Sequence, residues 1–311
     1  MITKNKLGLG ILLASTMLSG NVMASGWTGL VSANVGHDDN VTLGDDDSDV
    51  VGSDLKDNFL DVLGVAGRYL TGDKDDGIRF TGTLYNREYD TDDDFNFFLI
   101  SGGLAYHKKL GDWHGRFGAK YDYLEFGGDP YESIITLSAE GRHKLSKDTE
   151  IRIRYRYSDI DAESSQFNNI DGDRHRINAE YRLKHAGNRY RFIYTYETND
   201  RNDSVRTPTT FSSSSPVRHT IRANAKIPLN TKWGTEFDVR YRDSRYKDEN
   251  VIASVEERRN DDRLKVKAEL NYKIDRKTDV FVDYTYTDND SNINSFDYDR
   301  NEVSVGVNYL F

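Results

Sequence analysis

The sequence predicts an all-β fold, a transmembrane antiparallel β-barrel of about 14 strands. Three observations predict it: segments of about ten residues that alternate apolar and polar, connections that alternate tight and long, and a last segment ending on an aromatic residue. The last segment is the cleanest. In Glu302 to Phe311, Val303, Val305, Val307, Tyr309 and Phe311 share one face, while Glu302, Ser304, Gly306, Asn308 and Leu310 share the other. The same period of two runs through Leu264 to Ile274 and through Ile151 to Tyr157, where three arginines alternate with Ile and Tyr.

Composition agrees once that fold is considered. A mean hydropathy of −0.74 and a net charge of −10 suit a soluble or disordered chain, yet 20 tyrosines and 14 phenylalanines do not suit disorder. A barrel resolves the conflict, because only every second strand residue faces lipid. With no cysteine there is no disulfide framework, so closure of the sheet must hold the fold. The acidic total makes nucleic acid an unsuitable partner.

The first two dozen residues read as a cleaved signal peptide, residues 1–24. Lys4 and Lys6 precede a short apolar core, Leu7 to Leu18, and Val22-Met23-Ala24 supplies the small residues before a cut after Ala24. The apolar run falls short of the ~20 residues a spanning helix needs. Loss of the two lysines takes the charge from −10 to −12. Residues 25–311 are then read as one outer-membrane barrel.

Fourteen segments follow, centred near residues 31, 64, 83, 103, 119, 138, 154, 179, 193, 222, 238, 269, 282 and 306. The facing of the second and third stays open. Connections after even-numbered segments are tight: Gly111-Asp112, Ser146-Lys147-Asp148, Ala186-Gly187, Asn230-Thr231 and Asp275-Arg276. Those after odd-numbered segments are mostly longer, over 37–57, 161–172, 200–215 and 248–260. Short periplasmic turns and long external loops are the rule for outer-membrane barrels. Trp113, Trp233, Tyr190 and Phe311 fall near the tight turns and Tyr123, Tyr157, Tyr241 and Tyr286 near the long loops, as two interfacial girdles require.

Function is expected in the polar faces. From the seventh to the eleventh segment the inward positions include Arg152, Arg154, Arg156, Arg174, Arg176, Arg182, Arg189, Arg191, Arg218, Arg222, Arg240 and Arg242, against Glu180, Glu197, Glu236 and Asp238. Arginine keeps its charge at any working pH and its planar fork fits carboxylate, sulfate and phosphate. The set reads as a track for an anionic solute or acidic saccharide. The alternative is bracing, with acids of other strands such as Asp279, Asp283 and Glu302 as partners. Two acidic runs, Asp45-Asp46-Asp47 and Asp92-Asp93-Asp94, fall on long loops, where they read as solvated carboxylates, or as Ca²⁺ or lipopolysaccharide contacts. No metal or cofactor is expected. The seven histidines have no HExxH spacing, and no GxSxG elbow or P-loop is present, so no enzyme is read here. His143, His175 and His219 fall on lipid-facing positions near strand ends.

Short stretches also resemble known barrels: Gly36-His37-Asp38-Asp39-Asn40-Val41, Asp171-Gly172-Asp173-Arg174-His175, Arg259-Asn260-Asp261, Ser291-Asn292-Ile293 and Tyr298-Asp299-Arg300-Asn301. Together they resemble the C-terminal barrel of the surface lipoprotein assembly modifier family (Slam), and nearly as much the β-barrel porin families found beside exopolysaccharide genes. The helical-repeat domain that precedes the Slam barrel has no counterpart here. The resemblance implies a 14-stranded barrel and names no cargo. Val307, Tyr309 and Phe311 resemble the signal read by the barrel-assembly machinery. The reading is therefore an outer-membrane channel or porin for anionic solutes. The alternatives are a secretion component for a surface lipoprotein or exopolysaccharide, and a plugged structural barrel. The expected partners are outer-membrane lipid and lipopolysaccharide, the assembly machinery, and an anionic saccharide or surface lipoprotein.

Overall fold

The computed structural model describes residues 26–42, 55–163, 170–202, 204–207, 210–252 and 255–311. The proposed signal segment and Asp45–Asp47 lie outside the described residues. Among these, sixteen strands share one sheet, and fourteen of them close into a cylinder. They are β1 (Thr28–Asp38), β2 (Asp57–Gly72), β3 (Asp76–Tyr89), β4 (Phe97–Leu110), β5 (Trp113–Phe126), β6 (Asp129–Lys144), β7 (Thr149–Ala162), β8 (Gly172–His185), β9 (Asn188–Arg201), β12 (Pro216–Pro228), β13 (Trp233–Ile252), β14 (Val255–Lys273), β15 (Thr278–Ser291) and β16 (Tyr298–Leu310). The other two, β10 (Ser204–Thr207) and β11 (Thr210–Ser212), make a small hairpin beside the upper part of β13. Every barrel strand is antiparallel to both neighbours, and β1 pairs with β16 to finish the ring. Each of the fourteen expected segments falls within one barrel strand.

Alternation builds the wall. Ile153, Tyr155, Ile177, Phe192, Ile221 and Val239 are exposed on the outer face, where lipid covers them. Closure satisfies the ladder on every strand, and an open edge in lipid would leave backbone groups unpaired at several kcal/mol each. The last step of closure is explicit. Gly29 and Phe311 exchange both backbone hydrogen bonds at 3.1 Å, and the Phe311 ring lies where a Cβ on Gly29 would stand. Val303, Val305 and Val307 are exposed on the same outer face.

One chemical device recurs at the short-turn rim. The side chains of Asp73, Ser146, Asn230 and Asp275 each accept backbone N–H bonds from the residues two and three places on, at 2.7–3.2 Å. Ala186 and Gly187 turn β8 into β9 with φ of 49° and 82°, as a two-residue hairpin of the twist-matched kind requires. At the opposite rim, Asp93–Phe95 form a single 3₁₀ turn whose preceding Asp92 accepts the Asp94 N–H at 3.3 Å.

Two connections differ from expectation. The segment 248–260 is not a loop, because β13 and β14 continue pairing through it as far as Ile252↔Val255. The β5–β6 connection is tight, with Gly127 and Gly128 at positive φ, although it lies at the long-loop rim. Trp113 begins β5 and stacks on His143 at 5.0 Å, while Trp233 begins β13 beside Tyr272 at 4.9 Å. At the other rim His175 accompanies Tyr155 and Tyr157, and His219 accompanies Tyr194 and Tyr196. These are interfacial aromatic clusters of the kind expected for the three histidines.

Candidate functional site

The arginines reach one wall through simple parity. In β7 the odd residues Ile151, Ile153, Tyr155 and Tyr157 take the lipid face, which leaves Arg152, Arg154 and Arg156 for the lumen. The same alternation turns Arg174, Arg176 and Arg182 of β8 inward, then Arg189 and Arg191 of β9, Arg218 and Arg222 of β12, and Arg240 and Arg242 of β13. Nine of the twelve line one cavity of about 280 Å³ with Glu140, Glu180 and Glu197. Arg174 stands beyond it toward the long-loop rim, and Arg182 and Arg189 toward the short turns.

Cross-strand register shows how unusual this wall is. Arginine stands directly opposite arginine at Arg142↔Arg152, Arg156↔Arg176, Arg182↔Arg191, Arg222↔Arg240 and Arg242↔Arg263. Like charges directly opposite destabilise a sheet, by an amount comparable to the ~0.2–1 kcal/mol of a favourable pair. Arg142 and Arg263 escaped the sequence reading, although the parity of Leu264 on the lipid face would have placed Arg263 inside.

Seven of the twelve meet carboxylates. Arg152 reaches Glu150 at 2.6 Å, Arg222 reaches Asp238 at 2.7 Å, and Arg154 pairs with Glu140. Arg182 and Arg191 share Glu180, and Arg176 and Arg218 share Glu197. Arg156 donates instead to the Asn178 side-chain oxygen. Among the described residues Arg174, Arg189, Arg240 and Arg242 have no ion pair, and the buried Nε atoms of Arg156, Arg218 and Arg242 have no hydrogen-bond partner.

The partners expected from sequence need correction. Glu140 of β6 and Glu150, the second residue of β7, are further partners that the sequence reading did not include. Glu236 pairs with Lys226 and accepts from Asn224, with no arginine. Asp279 accepts from Asn308 at 2.9 Å and Asp283 from Ser304 at 2.8 Å, so neither serves the wall. Glu302 belongs to a different cluster.

That cluster is the seam. Asp38, fully buried at the end of β1, accepts from Arg300 Nε at 2.8 Å and from the Tyr89 hydroxyl at 2.9 Å. Arg87 forks onto both oxygens of Asp61 at 2.7 and 2.8 Å and reaches Glu302 at 2.8 Å. Arg300 also donates to Glu302 at 3.1 Å. Asn301 gives its N–H and its side-chain amide to Asp39, and Asn40 donates to the Asp299 carbonyl. The stretches 36–41 and 298–301, noticed separately in the sequence, thus interlock where the ring closes.

The signposts of β8 and β14 also act mechanically. Asp171 accepts the Ala162 N–H, and Arg259 bonds Asp261 while its guanidinium lies over the Phe296 ring at 3.4 Å. No trio of His, Cys, Asp or Glu among the described residues is arranged to hold a metal.

A closed 14-stranded antiparallel barrel with an apolar outer face and a charged lumen defines a porin-like transmembrane barrel. Comparison with known proteins agrees at that level. The family described as "Putative beta-barrel porin 2" matches residues 195–311. The porin resemblance drawn from short motifs therefore has a counterpart in the C-terminal part of the chain, while the Slam resemblance rests on the motifs alone. The fold is shared with an anion-selective porin from Comamonas acidovorans, at 9% identity and a TM-score of 0.52, covering 92% of this chain and 98% of that one. It is also shared with OmpT, an outer membrane protein of Vibrio cholerae, at 10% identity and a TM-score of 0.51, covering 92% and 96%. No curated protein matches the sequence significantly.

Proposed function

We propose that this chain is an outer-membrane channel that passes anionic solutes, acidic saccharides among them, along the arginine wall, without chemistry on the solute. The observation that carries the reading is the set of five directly opposed arginine pairs. Five of the twelve arginines do face a carboxylate directly, at Arg152↔Glu180, Arg154↔Glu140, Arg176↔Glu197, Arg182↔Glu150 and Arg218↔Glu197, but a wall built only to brace would not also set arginine against arginine. A wall built to attract anions tolerates the repulsion, because the solute supplies the missing charge. Confinement between low-dielectric walls focuses such a potential and concentrates counter-ions.

The substrate class follows from the fork geometry of the guanidinium, which grips planar carboxylates and sulfates at two points. The tyrosines at the long-loop rim suit the external leaflet, with the short turns in the periplasm.

Single-channel recording of the purified protein in a planar bilayer under a salt gradient tests the reading. The expected current is anion-selective and falls when a uronic-acid trimer is added. Replacing Arg156 and Arg242 by Glu together should shift the reversal potential toward cations. A silent barrel, or a cation-selective native current, would remove the reading.

A further inference from the structure

Two glutamates on the wall are shared rather than simply paired. Glu180 of β8 accepts from Arg182 on its own strand and from Arg191 of β9 at 3.0 Å. Glu197 of β9, only 4% exposed, accepts from Arg176 of β8, from Arg218 of β12 at 3.0 Å and from Asn199 at 3.0 Å. Each carboxylate therefore fills the gap between two guanidiniums in the way a solute carboxylate would.

Spacing turns the two triads into stations. Register aligns Glu197 with Arg176, four residues from Glu180 along β8, which is roughly 13 Å of strand. The row between them carries Asn178, Thr195 and Thr220 on β8, β9 and β12, with Arg154 of β7 opposite Asn178 and Arg242 of β13 opposite Thr220. An anion moving along this face meets a triad, a step of uncharged side chains flanked by arginines, and a second triad.

We propose that Glu180 and Glu197 are resident counter-anions that set how long a solute carboxylate dwells on the wall. This rests on the anion-channel reading. An arriving carboxylate takes one arginine of a triad while the glutamate keeps the other, and the glutamate reclaims the first arginine as the solute leaves. Without such a competitor, two bare guanidiniums would hold a carboxylate through charge-assisted forks. Conduction needs sites that are several and individually weak. The two glutamates act through the arginines, so they are positioning residues that also tune release.

The test is the duration of blocking events by a uronic-acid trimer in single-channel current, for the native protein, E197Q, E197D and E180Q. The Gln variants should lengthen each block by about tenfold, the effect of losing one charge-assisted competitor, and should raise anion selectivity. E197D should return both toward native values. A glutamate that only braced its arginines predicts the reverse, shorter blocks and weaker anion selectivity in E197Q. Unchanged or shorter blocks in both Gln variants, on an anion-selective native channel, would overturn this proposal and leave the channel reading standing. A native channel that is silent or cation-selective would overturn both. E180Q keeps the test decisive where E197Q does not fold.

Discussion

At the seam of β16, β1, β2 and β3, Arg87 and Arg300 meet Asp38, Asp61 and Glu302. On the wall from β7 to β13, twelve arginines have five carboxylates among them. The residue type is the same and its use is opposite. The seam sets three carboxylates against two arginines, Asp38 has no exposed surface, and both of its oxygens accept hydrogen bonds. The wall is left with excess charge and with guanidinium nitrogens that lack partners. Charge that holds strands together is neutralised locally, and the charge proposed to receive a solute is left in surplus.

The largest effect should come from breaking the seam. Asp38→Ala leaves the buried Arg300 with Glu302 alone, which Arg87 already shares, and removal of one partner of a buried pair costs about 3–5 kcal/mol. Chemical unfolding in detergent should show a marked loss of stability. The matching change on the wall, Arg242→Ala, should leave stability within about 1 kcal/mol, because it relieves a like-charged pair. It should instead lower anion selectivity. If the two variants lost equal stability, the contrast between seam and wall would fail.

Closure gives a smaller prediction. Gly29→Val puts a Cβ against the Phe311 ring and the Val65 carbonyl, and overpacking of this kind costs about 1–3 kcal/mol. The yield of folded barrel, read as heat-modifiable mobility on a gel, should fall. Phe311→Ala in the same background should recover part of it by removing the ring.

The smallest effect sits in the turns. Backbone N–H bonds from Lys277, then Thr278, hold the Asp275 carboxyl below its ordinary value of 3.8. A group with a lowered folded value adds stability that is complete above the unfolded value and disappears as pH falls through the folded one. An NMR titration of Asp275 should have its midpoint below 3.8, and Asp275→Asn should remove the corresponding acid sensitivity of this turn. A midpoint at or above 3.8 would show that the turn bonds do not favour the charged form.

Much of this architecture was legible in the residues, and particular elements show why. Strands such as β7 and β14 declare themselves because one face meets lipid and the other water. Where both faces meet water the pattern vanishes. Lys247 to Ile252 and Val255 to Arg259 read as a charged loop, yet the ladder runs on through them, because hydrogen bonding does not need an apolar face. The hairpin within 204–212 fell inside a segment read as a loop. Parity alone placed all twelve arginines inside. It did not supply every partner: Glu150 shares the parity of Arg152 two residues away and was overlooked, while Glu140 becomes a neighbour of Arg154 only once the register of β6 and β7 is fixed. The interlock of Asp39 with Asn301 joins residues 262 apart in sequence, and only ring closure brings them together.

The surplus guanidiniums occupy one arc of the cylinder, and the seam, whose arginines already have carboxylate partners, occupies strands across from it. The field therefore runs across the bore, and a molecule inside acquires a preferred side. Two regioisomers of equal size and net charge, one with its carboxylates along a single edge and one with them on both, cease to be equivalent, because only the first can satisfy both arcs at once. On the proposed channel reading, the barrel would sort by the arrangement of charge around a molecule's long axis as well as by its total.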